Sequence, residues 1–393
     1  MSPPLRLAYL VSHPIQYQAP LLRRIARESD IDLTVFFGSD FSLRAYRDEG
    51  FGVDVAWDTP LTEGYKHVFL KPLRDNGTVS ATSPISRGIL KALTGFDALW
   101  VHGYASINSL QAILAANALG IPVLLRAESW LKDRERGPLK LSLKRLALRA
   151  LRPAIAATLP IGTLNAQYWQ HYFGEHVPQF SMPYAVDNDY FASRTAAAAA
   201  HQAELRTSLN LDPGRPVILF ASKLQPRKRC MDLLEAYRLD PTAHLIIAGD
   251  GEERARLEAF ARDHALTGVR FVGFQNQSAL PQYFGLADVF VLPSRHEPWG
   301  LIVNEAMAAG CACIVSDEVG SHANLITPGV EGFVFPAGNI PALFAALSGI
   351  FAEPGTAGEM GRAAAIRIRS WSFEQDVAGL RAALAHTTRR LRN

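Results

Sequence analysis

Short apolar runs alternate along this chain with longer segments that have helical periodicity. In the first half, the pattern predicts strands at Leu5–Ser12, Ile31–Phe37, Ala98–His102, Val123–Arg126 and Ala156–Pro160, and helices at Pro20–Ser29, Ile107–Leu119 and Leu139–Leu151. In the second half, it predicts strands at Val217–Ser222, His244–Ala248, Val269–Val272, Val289–Leu292 and Cys313–Ser316, and helices near Cys230–Tyr237, Glu252–His264, Ser278–Leu286 and Asn304–Ala309. Such alternation is typical of parallel sheets covered by helices on both faces. Because it occurs twice, we expect two doubly wound α/β domains.

A cluster of Pro, Asp and Asn residues at positions 183–189 separates the two series and predicts a domain boundary. We therefore assign residues 1–186 to a first domain and residues 187–370 to a second. The basic segment 371–393 is expected to form a helix that packs back on the first domain. A length of 393 residues suits this two-domain division.

Composition excludes several classes of protein. The net charge is only +3, so no nucleic-acid partner is expected. An odd count of three cysteines argues against a disulfide framework and fits a reducing environment. The N-terminus leads directly into a strand pattern, and no apolar run reaches the ~20 residues that span a bilayer. We therefore expect no signal peptide and a cytoplasmic protein.

Two carboxylates mark the most informative segment of the chain. Glu297 lies in the turn Glu297-Pro298-Trp299-Gly300 directly after a predicted strand, and Glu305 follows eight positions later on the next helix. A helix that begins at such a turn presents free backbone N–H groups and the positive end of its dipole to an anion. Together with two acceptor carboxylates, this arrangement suits a ligand with phosphates and hydroxyls, such as a nucleotide sugar.

A basic loop follows the first strand of the second domain. It contains Lys223, Arg227, Lys228 and Arg229, at the edge where ligands bind in open α/β sheets. Lysines at this place can neutralise a diphosphate, both bound and departing. A solvated basic loop is the alternative, but the Glu297 turn is expected at the same edge and favours the binding role.

These motifs resemble those of a known family. Lys223 and Lys228 stand five apart like the Arg/Lys pair of the retaining glycosyltransferases of family 4, the "group 1" family, and Glu297 and Glu305 match that family's Glu-x7-Glu motif. Further similarities are Gly249-Asp250-Gly251, Gly273-Phe274, Leu280-Pro281, Ala287-Asp288, Pro293-Ser294, Gly310 and Asp317–Gly320. The resemblance is specific over about residues 183–340. It implies the GT-B fold, in which two Rossmann-like α/β domains face each other across a cleft.

The resemblance also implies roles for individual residues on the donor side. Lys223 and Lys228 would bind the donor diphosphate, and Glu297 would hold hydroxyls of the transferred sugar. The remaining donor-binding residues would be Glu305 toward the ribose, the amides of Leu301 and Ile302 after Gly300 toward a phosphate, Phe274 toward the base, and Gly249. Gly249 is also explained by the turn that ends its strand. The family usually has Arg where Lys223 stands, with Gly before it and after the second base, and Lys lacks the bidentate fork of Arg.

In the first domain, candidate acceptor-side residues follow predicted strands. His102 ends one strand, and the resemblance places it beside the transferred sugar as a catalytic residue. His13 and Gln16 follow the first strand, where the family often has a Gly-rich loop that this chain lacks. Arg126 and Glu128 end another strand and form either a structural ion pair or an acceptor contact.

The helix Leu139–Arg152 is basic and amphipathic. At 100° per residue, Leu139, Leu143, Leu146 and Ala150 form one stripe, which we expect to face the core. The opposite face carries Lys140, Lys144, Arg145, Arg149 and Arg152, interleaved with Leu141 and Leu148. This face is either solvated or rests on the inner surface of an anionic membrane, as lipid-linked acceptors would favour.

The expected function is therefore retaining transfer of a hexose from a nucleoside diphosphate sugar to a hydroxyl acceptor, in glycan or glycolipid biosynthesis. No Asp-x-Asp motif lies at a strand end, so we expect no metal and no other cofactor. The alternatives are a nucleotide-sugar epimerase of the same build and a non-catalytic carbohydrate-binding protein. A dinucleotide oxidoreductase is disfavoured because the Gly-x-Gly-x-x-Gly fingerprint is absent after the first strand.

Overall fold

The computed structural model describes residues 3–74 and 79–392. The strands are β1 Leu5–Val11, β2 Ile31–Phe37, β3 Tyr46–Asp48, β4 Val53–Val55, β5 Lys66–Phe69, β6 Pro72–Arg74, β7 Ile85–Ser86, β8 Ala98–His102, β9 Val123–Arg126, β10 Ala157–Thr158, β11 Val217–Ala221, β12 His244–Ala248, β13 Val269–Gly273, β14 Val289–Leu292, β15 Ala312–Ser316 and β16 Gly332–Phe335. The α-helices are α1 Ala19–Ile25, α2 Ile89–Leu93, α3 Ile107–Ala118, α4 Pro138–Leu151, α5 Thr163–Phe173, α6 Asn188–Ala198, α7 Gln202–Ser208, α8 Cys230–Leu239, α9 Arg254–Asp263, α10 Leu280–Leu286, α11 Leu301–Ala308, α12 His322–Leu325, α13 Ile340–Phe351, α14 Thr356–Ile368 and α15 Phe373–Arg392. Short 3-10 helices lie at Phe41–Leu43, Arg152–Ala154, Gly174–His176, Ala199–His201 and Pro226–Lys228.

The chain folds as two compact units. The first comprises Met1–Tyr46, Thr59–Tyr184 and Phe373–Asn393, and the second comprises Arg47–Asp58 and Ala185–Ser372. The helix α15 therefore belongs to the first unit. One part of the predicted division is wrong, because the segment Arg47–Asp58 belongs to the second unit although it lies far upstream in the sequence.

The first unit is built on a six-stranded parallel sheet in the order β10-β9-β8-β1-β2-β5. When only the strands of this sheet are numbered along the chain, their order is the 3-2-1-4-5-6 order of the Rossmann fold, and it reverses between β1 and β8. The central strands are buried on both faces, which explains their nearly continuous apolar sequence.

The second unit repeats this topology. Its parallel sheet has the order β13-β12-β11-β14-β15-β16, with the reversal between β11 and β14. The helices α8, α9, α13 and α14 supply apolar side chains to the core on one face of the sheet. The predicted fold class, two doubly wound α/β domains, is confirmed. In such sheets, ligands bind at the carboxyl ends of the strands where the order reverses. The loops to consider are therefore those after β1 and β8 in the first unit and after β11 and β14 in the second.

The central strands were predicted most accurately. The strands β2, β8, β9, β12 and β14 have the predicted bounds. In the two large sheets, the strands β5 and β16 were missed, and both lie at an edge of their sheet. β5 is largely exposed and begins with Lys66-His67, so its sequence lacks the continuous hydrophobic run that marks a central strand. The apolar run of β16 was overlooked.

Candidate functional site

In the second unit, the two loops at the reversal point carry the predicted catalytic residues. Lys223 and Lys228 lie in the loop after β11, and Glu297 lies in the loop after β14. The Lys228 ammonium donates a hydrogen bond to Oε2 of Glu297, and Nη1 of Arg227 lies 3.1 Å from the same oxygen. Lys228 and Glu297 are both largely buried, whereas Arg227 is partly exposed. The sequence therefore brings Lys228 and Glu297 together, as predicted, and adds Arg227 as a third member.

Burial affects the protonation of this cluster. It lowers the pKa of Lys228, and Glu297 opposes that effect by favouring the charged ammonium. The neighbouring cations Arg227 and Lys223 lower the pKa further. An ammonium that is held in a dry environment beside other positive charges has a strong affinity for an anion such as a diphosphate.

The turn before α11 has a backbone that few residues can adopt. His296 has φ of 53° and Gly300 has φ of 87°, both in the left-handed region. A Cβ atom at Gly300 would lie 3.0 Å from the Val319 side chain and 3.1 Å from that of Leu292, so glycine is required for packing as well as for conformation. The backbone of Glu297 pairs with the loop after β15, because its N–H donates to Glu318 O and its carbonyl accepts from Gly320 N. These contacts fix the direction in which the Glu297 side chain leaves the turn.

The helix α11 begins at Leu301, three residues earlier than predicted. Its first turn therefore starts directly after Gly300, and the N–H groups of Leu301 and Ile302 have no acceptor within the helix. They lie at the positive end of the helix dipole, on the loop that carries Glu297. This is the geometry that the sequence predicts for capping a phosphate.

Glu305 lies one turn further along α11 and is buried. Its Oε2 atom has no hydrogen-bond partner among the residues that the structure describes. Burial raises the pKa of Glu305 to about 8, compared with an ordinary value of 4.5. A buried carboxyl group without a partner is costly unless a ligand supplies hydrogen-bond donors. The hydroxyls of a ribose are such donors, and the role of Glu305 toward a ribose stays a prediction.

Gly249 and Gly251, on either side of Asp250, lie against the backbone of the loop that carries Lys223. Gly249 has φ of 145°, and a Cβ atom there would lie 1.9 Å from the Ser222 carbonyl oxygen. The carbonyl of Asp250 accepts a hydrogen bond of 2.8 Å from Leu224 N. Gly249 is therefore explained by the close approach of two loop backbones. Its assignment as a donor-binding residue stays a prediction.

Phe274 follows β13 and belongs to an aromatic cluster that the sequence does not indicate. Its ring centre lies 4.7 Å from that of Phe51 and 6.4 Å from that of Trp57. Both partners come from the upstream segment Arg47–Asp58, so no local pattern around Phe274 could reveal them.

In the first unit, His13 lies in the loop after β1 and His102 is the last residue of β8, so both lie at the reversal point. The side chain of His102 is largely buried, and its Nε2 lies 3.5 Å from Oε1 of Glu128. Nδ1 of His13 forms a 2.8 Å hydrogen bond with Ser12 Oγ. Burial, together with the charge of a protonated His102, lowers the pKa of His13 to about 4. His13 is therefore neutral near pH 7 and can accept a hydrogen bond. Gln16 lies in the same loop and is half-buried.

Glu128 is the centre of this second group. It accepts hydrogen bonds from Tyr184 and, at 3.4 Å, from Tyr17. Burial alone raises the pKa of Glu128, but its contacts with His102 and Tyr184 and the charge of Arg126 outweigh burial and hold the pKa below its ordinary value. The result is an ionised carboxylate that orients His102. The two tyrosines were missed, because no spacing links them to Glu128.

The predicted ion pair between Arg126 and Glu128 is wrong. The Arg126 guanidinium is buried, and it donates to Asp376 Oδ1 at 3.0 Å and to the carbonyls of Met182 and Pro183 at 3.0 and 2.9 Å. It also lies over the Tyr184 ring. Arg126 therefore links β9 to the backbone at Met182 and Pro183 and to Asp376 in α15. This is a structural role, and the alternative of an acceptor contact stays a prediction.

Replacement of Arg126 by methionine is expected to lower the free energy of unfolding by about 3 kcal/mol, because it leaves Asp376 buried without its cation. Burial already raises the pKa of Asp376 to about 7, so the acid is neutral in mild acid and charged above neutrality. The loss should therefore be larger at pH 8 than at pH 5. Urea unfolding at both pH values measures it, with Arg126→Met/Asp376→Asn as the matched variant. Wild-type stability with an altered acceptor KM would contradict the structural role.

The predicted packing of α4 is also wrong. Leu139, Leu143 and Leu146 are 72%, 59% and 66% exposed, and Leu148 alone is buried, at 2%. The buried side of the helix is therefore the one that carries Leu148. On the basic face, Lys144 differs from its neighbours because it is partly buried. Its ammonium lies 4.6 Å from the Tyr168 ring centre, and burial lowers its pKa to about 8.

Metal ligands and membrane spans were sought in the described parts of the chain. Residues 3–74 and 79–392 contain no group of three or more His, Cys, Asp or Glu side chains arranged to hold a metal ion. No single helix of this part has the length and apolar character needed to cross a bilayer, although the bent pair Ile340–Phe351 and Thr356–Thr388 passes by length and composition. Independence of metal stays a prediction.

Known proteins are similar to this chain in sequence and in fold. Residues 201–367 match the family described as Glycosyl transferases group 1. GDP-mannose-dependent alpha-mannosyltransferase from Mycobacterium tuberculosis is 29% identical over 274 residues, which cover 64% of this chain and 63% of that protein. Glycogen synthase from the same species is 32% identical over 170 residues, which cover 42% of this chain and 41% of that protein. The matched regions thus span less than two thirds of these relatives.

The solved structure of Anabaena HepE in complex with UDP and glucose aligns with a TM-score of 0.71 at 16% identity, covering 97% of this chain and 99% of that chain. The fold is therefore that of the GT-B proteins, as predicted. Residues 201–367, which carry Lys223, Lys228, Glu297 and Glu305, are thus similar to the group 1 glycosyltransferases. The family resemblance inferred from the sequence is confirmed.

Proposed function

We propose that the protein is a retaining glycosyltransferase that moves a hexose from a nucleoside diphosphate sugar to a hydroxyl acceptor in glycan or glycolipid biosynthesis. The observation that carries the proposal is the buried Lys228–Glu297 pair at the reversal point of the second sheet, beside the N-terminus of α11. A parallel sheet binds its ligand at this point, and the side chains found there suit a sugar diphosphate.

The diphosphate would be bound by Lys223, Lys228 and the amides of Leu301 and Ile302. Their interaction with the phosphate becomes stronger as negative charge develops on the leaving group. They therefore stabilise the transition state more than the bound donor. The low-dielectric surroundings of Lys228 strengthen its part in this effect.

The two glutamates would select the rest of the donor. Lys228 and Arg227 hold Oε2 of Glu297, which leaves its other oxygen to accept hydrogen bonds from sugar hydroxyls. Glu305 already has a buried oxygen without a partner, and the ribose hydroxyls would supply the missing donors. Phe274 would lie against the base.

The first unit would bind the acceptor through His13, Gln16, His102 and Glu128. His102 is oriented by the ionised Glu128, and His13 is neutral, so both imidazoles can hydrogen-bond a sugar hydroxyl. Retention requires the acceptor to attack from the face that the diphosphate leaves, with the departing phosphate oxygen taking the acceptor proton. That last step rests on the family resemblance.

A donor panel tests the proposal. Thermal unfolding is followed with UDP-, GDP-, ADP- and dTDP-sugars, and the cognate donor should raise Tm by mass action. The product formed with that donor and a glycan or lipid-linked acceptor is then examined by NMR. A new glycosidic bond with the donor's anomeric configuration supports the proposal, and activity that persists in EDTA supports metal independence. Free epimerised sugar, or binding without turnover of any donor, would contradict it.

We further propose that α4 rests on the inner surface of an anionic membrane, with the enzyme otherwise cytoplasmic. The exposed leucines 139, 143 and 146 would enter the interface, and Lys140 and Arg149, which flank this stripe at 100° per residue, would face acidic head groups. Charge complementarity and exposed apolar area on one helix favour this surface over a purely solvated face.

The variant Leu139→Gln/Leu143→Gln/Leu146→Gln is expected to bind phosphatidylglycerol vesicles at least tenfold more weakly than wild type, because each lost leucine removes apolar area from the lipid. Cosedimentation measures the binding. Leu114→Gln, a change at an exposed leucine of α3, is the matched control. Equal binding to phosphatidylglycerol and phosphatidylcholine vesicles, or wild-type binding by the triple variant, would contradict this contact.

A further inference from the structure

The segment Arg47–Asp58 is bound to the edge of the second unit that carries the donor-binding loops. Asn276 Nδ2 donates a 2.6 Å hydrogen bond to the Ala56 carbonyl, and the Ser278 backbone N–H donates to Asp58 Oδ2 at 3.2 Å. Phe51 and Trp57 pack on Phe274, as described above. The segment is therefore held at several points by the region that follows β13.

Within this segment, Asp48 forms an ion pair with Lys223. The Lys223 ammonium lies 2.7 Å from Oδ1 and 2.9 Å from Oδ2 of Asp48, and it also lies 4.7 Å from the Phe51 ring centre. A side chain on Gly50 would meet Lys223, since a Cβ atom there would lie 2.6 Å from Lys223 Cδ. The turn is thus fitted closely around this lysine.

The Asp48 carboxylate is held in place and charged. Its Oδ1 atom accepts hydrogen bonds from the backbone N–H groups of Gly50 at 2.8 Å and Phe51 at 2.9 Å. Burial opposes ionisation, but Lys223 and these amides outweigh it and lower the pKa of Asp48. Two fixed anionic oxygens on an ammonium group resemble a phosphate that is bound by the same lysine.

We infer that Asp48 occupies the phosphate position on Lys223, and that the donor diphosphate must displace it in order to bind. The inference rests on the proposed function, because it takes Lys223 as a ligand of the diphosphate. A carboxylate and a diphosphate repel each other when they share one compact ammonium, so the two states exclude each other. Lys228 is not blocked in this way, because its partner Glu297 belongs to the binding loops themselves.

Displacement of Asp48 also removes one of the contacts that hold the segment. Donor binding is therefore coupled to release of residues 48–51 from Lys223, and the apparent affinity for the donor is reduced by the fraction of molecules in which Asp48 is bound. The bound segment lowers the affinity of the free enzyme for the donor, and residues 48–51 are released from Lys223 when a nucleoside diphosphate binds.

Calorimetric titration of the full chain with UDP and GDP tests the inference. Asp48→Asn keeps the acceptor for the Gly50 and Phe51 amides but removes the charge, and it should lower the Kd of the nucleoside diphosphate that wild type binds by about fivefold. Asp54→Asn removes an equal charge from an exposed position in the same segment and should leave the Kd unchanged. In the Lys223→Met background, Asp48→Asn should have no effect.

Hydrogen exchange supplies a second readout, since the amides of Gly50 and Phe51 should exchange faster when the diphosphate is bound. Weaker binding by Asp48→Asn would overturn the inference, because it would mean that Asp48 orients Lys223 toward phosphate. Unchanged binding, or unchanged exchange at Gly50 and Phe51, would overturn it as well. If wild type binds no nucleoside diphosphate, the proposed function itself fails, whereas normal wild-type binding with a silent Asp48→Asn removes only this inference.

Discussion

Replacement of Lys228 by methionine is expected to lower kcat/KM by about 100- to 1,000-fold, the range observed when a preorganised donor to a developing charge is removed. Lys228 is buried, and other cations lie near it. Its positive charge is therefore compensated mainly by Glu297 and by an anion that binds there. Methionine has a similar length and no charge. Steady-state kinetics with the cognate donor measure the effect.

The loss should come from chemistry rather than from unfolding. Methionine removes a buried charge, while Glu297 retains Arg227 at 3.1 Å, so we expect urea unfolding to change little. Lys91→Met, on an exposed position of α2, is the matched control. Because Lys228 and Glu297 act as a pair, Lys228→Met/Glu297→Gln should cost much less than the product of the two single losses. Independent, multiplicative effects would contradict the pairing.

The positions of these residues could be predicted because they depend on local order. A central parallel strand is an apolar run that ends at the edge where ligands bind, so the strands before Lys223, Glu297 and His102 also locate those side chains. The same reasoning explains why the edge strand β5 was missed, because it begins with Lys66-His67 and has no comparable run.

Contacts between residues far apart in the chain could not be predicted. Arg126 is followed closely by Glu128, and proximity in sequence suggested an ion pair. The guanidinium instead pairs with Asp376, which lies 250 positions away. The same is true of Asp48, which lies 175 positions from Lys223. Periodicity and spacing describe the order within one element, whereas these pairs depend on how elements pack.

The helix α4 shows a different limit. Its amphipathic pattern was recognised correctly, but the pattern states only that two faces differ and not which one meets the core. Leu148 is buried and the leucine stripe is exposed. In an aqueous protein the opposite orientation is the usual one, so the prediction that followed the usual orientation chose the wrong face.

Replacement of Glu305 by glutamine is expected to stabilise the free protein in alkaline solution and to weaken nucleotide binding. Burial raises the pKa of Glu305 to about 8. A raised folded-state pKa contributes stability that is fully present below the unfolded value of about 4.5 and is lost as pH rises through about 8. Glutamine has no such dependence. The variant should therefore match wild type near pH 4.5 and be more stable by roughly 5 kcal/mol at pH 8.5.

Urea unfolding across this pH range measures the difference, and Glu359→Gln, a change at an exposed position of α14, is the control. At pH 8.5, where Glu305 is ionised, the same variant should bind the cognate nucleoside diphosphate about 10- to 100-fold more weakly, because a neutral amide is a poorer acceptor for two hydroxyls than a carboxylate. Stability and binding thus move in opposite directions at one residue. That outcome would identify Glu305 as a group whose burial is compensated by the ligand, whereas a pH profile of unfolding parallel to that of wild type would contradict it.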